Sequence, residues 1–162
     1  LTYICIKIDK MRNLLMAIVA VIIISGCDNK VVYKNYHELE NMNWSRFDNQ
    51  VFDINVTKNI PLDLYLSLRH HTDMPYNYLD VNITLETPNG EFRSKDYHYS
   101  LKDSNHKWKG SGMGELWDLD LTIRKDISFR KDGICKVTIE NKMPRGTIPG
   151  IIELGIIVKE AN

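Results

Sequence analysis

In six separate stretches of this chain, apolar residues fall on every second position, and that period limits the fold more than any other feature. Phe52, Ile54 and Val56 alternate with Asp53 and Asn55. Leu62, Leu64, Leu66 and Leu68 alternate with Asp63, Tyr65, Ser67 and Arg69. The pattern recurs at Leu79, Val81, Ile83 and Leu85, at Leu119, Leu121 and Ile123, at Cys135, Val137 and Ile139, and at Ile152, Leu154, Ile156 and Val158. Successive side chains on a strand point to opposite faces, so each stretch is apolar on one face and mostly polar on the other. That marks antiparallel strands with one face on a core and one in water, and two such sheets packed face to face bury both apolar sides. Residues 91–101 alternate less cleanly and carry many charges, as an edge strand does to avoid pairing with other chains. The segments TPNG (87–90) and KDG (131–133) carry the Asn-Gly and Asp-Gly signals of hairpins. No amphipathic helical stretch of useful length follows residue 45. The expected fold is all-β, an antiparallel immunoglobulin-like sandwich of about seven to eight strands, with a small barrel as the alternative.

The first part of the chain follows a different logic. Residues 14–24 are eleven apolar residues in a row. A bilayer-spanning helix needs roughly 20, whereas a run of this size after the short positive segment Met11, Arg12 matches the apolar region of a secretory signal. The run ends in Ile24, Ser25, Gly26 and Cys27, which resembles the lipobox of bacterial lipoproteins. The resemblance implies cleavage between Gly26 and Cys27, a diacylglycerol thioether on Cys27 and a further acyl chain on its freed amine. The expected division is therefore 1–10 as upstream sequence from a mis-placed start, 11–26 as a helical signal peptide, 27–46 as a polar tether with at most a short strand at 31–33, and 47–162 as the sandwich domain.

Charge and cysteine content narrow the function. Residues 1–26 hold three of the 21 basic and one of the 21 acidic groups, leaving 18 against 20 after cleavage. That slightly acidic balance lacks the basic footprint of a nucleic-acid binder. With Cys5 in the leader and Cys27 lipidated, Cys135 is the one free thiol, so no intrachain disulfide can form. Cys135 is in phase with Val137 and Ile139 and should be a buried, unreactive core residue.

Candidate sites are few. His70 and His71 are adjacent, so on a strand they face apart, and no third ligand stands at a recognisable spacing. No metal site is expected. The segment GSGMG (110–114) lacks the Lys-Ser/Thr of a phosphate loop. Asp118 and Asp120 share one strand face without a partner spacing, and no catalytic order of Ser, His and Asp stands out. The expectation is a protein without catalytic residues, cofactor or small-molecule substrate. The one candidate binding loop comprises Trp108, Gly110, Gly112, Gly114 and Trp117. Glycines let a partner approach the backbone closely, and exposed tryptophans anchor protein contacts or stack on sugar rings. Buried, the same rings would seal the end of the sandwich.

Residues 65–90, with Asp73, Pro75 and the Pro-Asn-Gly turn at 88–90, resemble the GldH family of gliding-motility lipoproteins of Bacteroidetes. WKGSGMGELWD (108–118) is similar to that family's Gly-rich segment, and GIIELGIIV (150–158) to its last strand. The resemblance implies a lipid-anchored envelope protein whose partners belong to the gliding machinery and, through it, to type IX secretion. It brings no catalytic residues. DNKVV after Cys27 lacks an acidic run for surface export, so the expected location is the outer membrane, facing the periplasm. The alternative is a glycan-binding module, for peptidoglycan or another polysaccharide, that uses Trp108 or Trp117. Labelled fatty acid fed to cells should appear on the wild-type protein and be absent from Cys27→Ser; label retained on the serine variant would refute lipidation at this position.

Overall fold

The computed structural model describes residues 30–161. The segments expected as upstream sequence (1–10) and signal peptide (11–26), with Gly26 and Cys27, lie outside them. The described elements are β1 (Val31–Glu38), a 3-10 turn (Glu40–Met42), β2 (Asn43–Ser45), β3 (Gln50–Val56), β4 (Leu62–His71), β5 (Tyr78–Glu86), β6 (Phe92–Ser100), β7 (Ser111–Met113), β8 (Leu116–Ile127), β9 (Gly133–Asn141), β10 (Thr147–Pro149) and β11 (Ile151–Glu160). Three antiparallel sheets result: β1-β11-β4-β8-β7, β3-β9-β5-β6, and the small pair β10-β2. The two large sheets enclose a single core.

The architecture is the expected antiparallel β-sandwich, with eight strands of seven residues or more. Their order is that of a jelly roll. Every link between successive long strands crosses from one large sheet to the other, except the β5–β6 hairpin. Alternation assigns a strand to a face but carries no information on its neighbours, so this order had no sequence signal.

The crossing explains one failed expectation. KDG at 131–133 joins β8 to β9, which lie in different sheets, so it is no hairpin. Phe129 is buried beneath this link. The Lys58 N–H donates to Asp132 Oδ1 at 2.7 Å, and the Asn59 N–H to the Phe129 carbonyl at 2.9 Å. TPNG does form the β5–β6 hairpin, with Gly90 at φ +80°, and β6 is the charged edge strand expected at 91–101.

The apolar phases fall inward as read, with two local shifts. A bulge in β11 between Ile151 and Glu153 turns Ile151 into the core and leaves Ile152 half-buried. Leu119 is also only half-buried, packing on the core from its margin. Cys135 has no exposed surface, and burial pushes its thiol up to about 11 from an ordinary 9.0.

The tether expected at 27–46 is largely part of the domain. β1 pairs with β11 over its whole length. The Tyr36 ring lies where a Cβ on Gly155 would have to go. The His37 ring stacks on Phe52 at 4.3 Å, and its Nδ1 lies 2.8 Å from Gln50 Oε1. Trp44 is fully buried, pairs with Ile148, and donates from its indole nitrogen to the Asp48 carbonyl at 2.7 Å. No residue of β1 is fully buried on either face, so VVYKNYHE alternates too faintly to be read.

Register gives the sandwich two distinct ends. Val31, Glu160, Leu62 and Ile127 mark one. Glu38, His71, Leu116 and the β7–β8 hairpin mark the other, ~30 Å away along a ten-residue strand. On the open side, Tyr97 and Tyr99 of β6 donate to the carbonyls of Ile123 and Thr122 of β8 at 3.0 and 2.9 Å.

A pH dependence follows from Cys135. Below pH 9 the thiol is protonated in folded and unfolded chains alike. Between about 9 and 11 the unfolded chain loses that proton while the folded chain keeps it, so stability falls as pH rises through this window. Burial also raises the hydroxyls of Tyr97 and Tyr99, which adds to the fall. The thiol's share is read by comparing chemical unfolding of wild type and Cys135→Val from pH 8 to 11: the variant should lose less, and equal loss would refute the assignment.

Candidate functional site

Local backbone chemistry makes the Gly-rich segment an ordered hairpin. Ser111, Gly112 and Met113 pair with Asp118, Trp117 and Leu116. The two-residue turn opens on Gly114 at φ +66°, the glycine-first pattern of a type II′ connection, whose twist suits the flanking strands. Gly112 has a different reason to be glycine: a Cβ there would lie 2.6 Å from two atoms of the Trp117 indole. At Gly110, φ is +90° and a Cβ would collide with the Asp118 carbonyl. The glycines at 110 and 112 therefore serve packing, where the sequence suggested an open approach for a partner.

At the end of the core, Trp108 and Trp117 both neighbour His70. His70 is fully buried and is the cross-strand neighbour of Trp117. The Trp108 ring lies 4.4 Å from the imidazole, with Lys102 Nζ 4.1 Å over the indole. His70 Nδ1 lies 3.0 Å from the His71 carbonyl and so donates its proton there. Burial lowers the pKa of His70 and keeps it neutral. Its Nε2 and the Trp117 indole nitrogen find no protein partner. Both indoles are half-buried with neighbours on their rings, so neither is the exposed stacking platform that a glycan-binding reading of these tryptophans needs. His70 and His71 face apart, and no group of three His, Cys, Asp or Glu among the described residues could hold a metal.

What the hairpin offers to solvent is a pair of side chains that sequence reasoning passed over. Met113 is 88% exposed and Leu116 43%, and they are direct cross-strand neighbours on the outer face. They alternate with Gly112 and Trp117, which face inward, and that phase was the available signal. The tip is tied down: the Thr72 N–H donates to the Glu115 carbonyl at 2.8 Å, and His71 Nε2 lies 3.1 Å from the Glu115 carboxylate. Beside the pair, the outer face of the five-stranded sheet holds a polar cleft of about 460 Å³. Here Arg69 binds Asp118 through Nε at 2.7 Å and Nη2 at 3.2 Å, and Glu153 through Nη1 at 3.2 Å. Ser67 Oγ donates to Asp120 at 2.8 Å. Asp118 and Asp120 thus share the face expected of them, each holding a neighbouring strand.

Gly112→Val should displace Trp117 and lower stability by about 2 kcal/mol, as overpacking does. Gly114→Ala has open space and should cost only about 1 kcal/mol, for the left-handed backbone. Denaturant unfolding of both variants checks the order; a Gly112→Val domain as stable as wild type would show that the indole does not depend on this gap.

Known proteins resemble this chain at the level of sequence. The family profile described as GldH lipoprotein matches residues 31–158, from the start of β1 nearly to the end of β11. A protein named "Gliding motility lipoprotein GldH homolog" from Christiangramia forsetii is 28% identical over 138 residues, covering 85% of each chain. "Gliding motility lipoprotein GldH" of Flavobacterium johnsoniae is 25% identical over 144 residues, covering 88% of this chain and 89% of its own. Among solved structures, an exo-β-1,3-galactanase from Phanerochaete chrysosporium aligns with 80% of this chain and 30% of its own, at 14% identity and a TM-score of 0.35, too low to carry any inference. Because the family match spans nearly the whole described domain, the chain belongs to the GldH lipoprotein family.

Proposed function

We propose that this protein is a non-catalytic lipoprotein of the cell envelope that serves gliding motility and, through that machinery, type IX secretion. Residues 11–26 direct export and are removed, acyl chains on Cys27 hold the domain on the outer membrane, and the domain faces the periplasm. The family match and the names of the two relatives support the envelope and motility parts. The sequence at 24–27 supports the anchor: one acyl chain holds a protein only marginally, and two or more hold it stably.

The domain acts by binding an envelope protein through the β7–β8 hairpin. The observation that carries this reading is the exposed pair Met113 and Leu116, presented on a tip fixed by Thr72 and His71. A rigid tip loses little conformational freedom on docking, and adjacent apolar side chains beside a charged cleft suit a small, specific protein contact. The half-buried indoles behind the pair set its position instead of touching the partner.

The double variant Met113→Asp, Leu116→Asp, placed in a strain deleted for its own copy, should lose motility or secretion. Protein level and melting temperature should stay near wild type, since exposed substitutions shift stability by only about 0.5 kcal/mol. Full function in this variant would remove the hairpin as the binding site.

A further inference from the structure

The described chain begins where an anchor on Cys27 would pull on it. Lys30 is fixed by the fold: its carbonyl accepts the Glu160 N–H at 2.9 Å, and its ammonium pairs with the Glu160 carboxylate at 2.9 Å. Three residue steps separate Lys30 from Cys27. An extended chain spans at most about 3.6 Å per residue, so the Cα of Cys27 can be no more than ~11 Å from that of Lys30. That is far shorter than the 20-residue tether expected from the sequence.

This same end shows aliphatic side chains that the core does not use. Val31 is 48%, Val32 42% and Ile60 41% exposed. A bulge between Val31 and Tyr33 leaves both valines outside the regular alternation. Val32, Ile60 and Pro61 line a shallow cavity of about 340 Å³ whose lining is more apolar than polar. The loops alongside carry Lys58, Arg130 and Lys131 in exposed positions, against Asp132, while Lys30 and Glu160 neutralise each other.

We propose that this end is a membrane-docking surface: Val31, Val32 and Ile60 enter the interfacial layer of the bilayer that holds the Cys27 acyl chains, and Lys58, Arg130 and Lys131 meet lipid phosphates. The proposal rests on the lipidation of Cys27. The short link selects a lipid surface over a protein occupant, since a bilayer anchored only three residues from Lys30 leaves no depth for a folded partner between. Three small aliphatic side chains bind lipid weakly by themselves, but the anchor makes their contact intramolecular, and basic side chains add attraction to anionic headgroups. The strands then stand away from the membrane, and the β7–β8 hairpin is carried ~30 Å from the lipid.

The test uses the full lipoprotein, purified from cell membranes and reconstituted into vesicles of phosphatidylethanolamine and phosphatidylglycerol. An environment-sensitive fluorophore is attached at Thr57→Cys, beside the patch, or at Asn105→Cys, at the opposite end. Both positions are exposed, whereas Cys135 is buried. Nitroxide-labelled lipid should quench the probe at 57 at least about threefold more than the probe at 105, given insertion limited to the interfacial layer. Adding Val32→Asp and Lys58→Glu should bring the probe at 57 down to the level at 105. Flotation comes first: protein that does not float with the vesicles overturns the anchor and the docking together. Protein that floats but shows equal quenching at both positions overturns the docking alone.

Discussion

Four leucines on one strand hold this sandwich together. β4 is hydrogen-bonded on both sides, to β11 and β8, and turns Leu62, Leu64, Leu66 and Leu68 onto the opposite sheet with almost no exposed surface. Leu79, Val81, Ile83, Val137 and Ile139 meet them from β5 and β9. Burying one such side chain is worth about 2 kcal/mol, so the leucine row alone rivals the net stability of an ordinary domain, ~5–15 kcal/mol. With Cys135 the one free thiol among the described residues, no covalent link shares that task. The polar face of β4 has its own role: Arg69 and Ser67 bind Asp118, Glu153 and Asp120 on the flanking strands. One strand thus fixes sheet-to-sheet packing on one side and strand-to-strand register on the other.

Where one face of a strand is sealed against the core, its sequence announces it. β4, β5 and β9 at sheet centres and β3 at an edge all alternate cleanly, because each buries one face on the core. Legibility fades at the margins. β1 resembles a tether in the sequence because its tyrosines, lysine and asparagine leave neither face sealed, and nothing enforces a period. Trp44 was missed because a three-residue strand is too short to show one. The bulge in β11 exchanged Ile151 for Ile152, a shift that apolar content alone does not reveal, since both are isoleucine. Strand order was wholly invisible: a hydrophobic face does not state which face it meets.

At the candidate site the structure gives the parts of the Gly-rich segment other tasks than the sequence suggests. The cluster of glycines between two tryptophans does sit at one end of the sandwich, and the structure brings Trp108 and Trp117 together around His70. Yet the glycines answer to indoles and carbonyls of the same chain, and the residues left facing water are Met113 and Leu116. A glycine beside a tryptophan reads equally as a place kept open for a partner or as a place filled by the tryptophan. Only the side-chain phase of a three-residue strand, set by pairing with β8, separates the two.

The jelly-roll winding also sets when the domain can form. β1 and β11, the first and last strands, are neighbours, and β4 needs β11 for half of its hydrogen bonds. Successive long strands almost always lie in opposite sheets, so neither sheet can be finished while the other is missing. Such non-local pairing folds slowly, because loop closure costs entropy before contacts repay it. A growing chain therefore cannot complete the five-stranded sheet until Glu160 has emerged. Until then β1 and β4 both lack their shared neighbour, so the sandwich closes in one late step and not strand by strand.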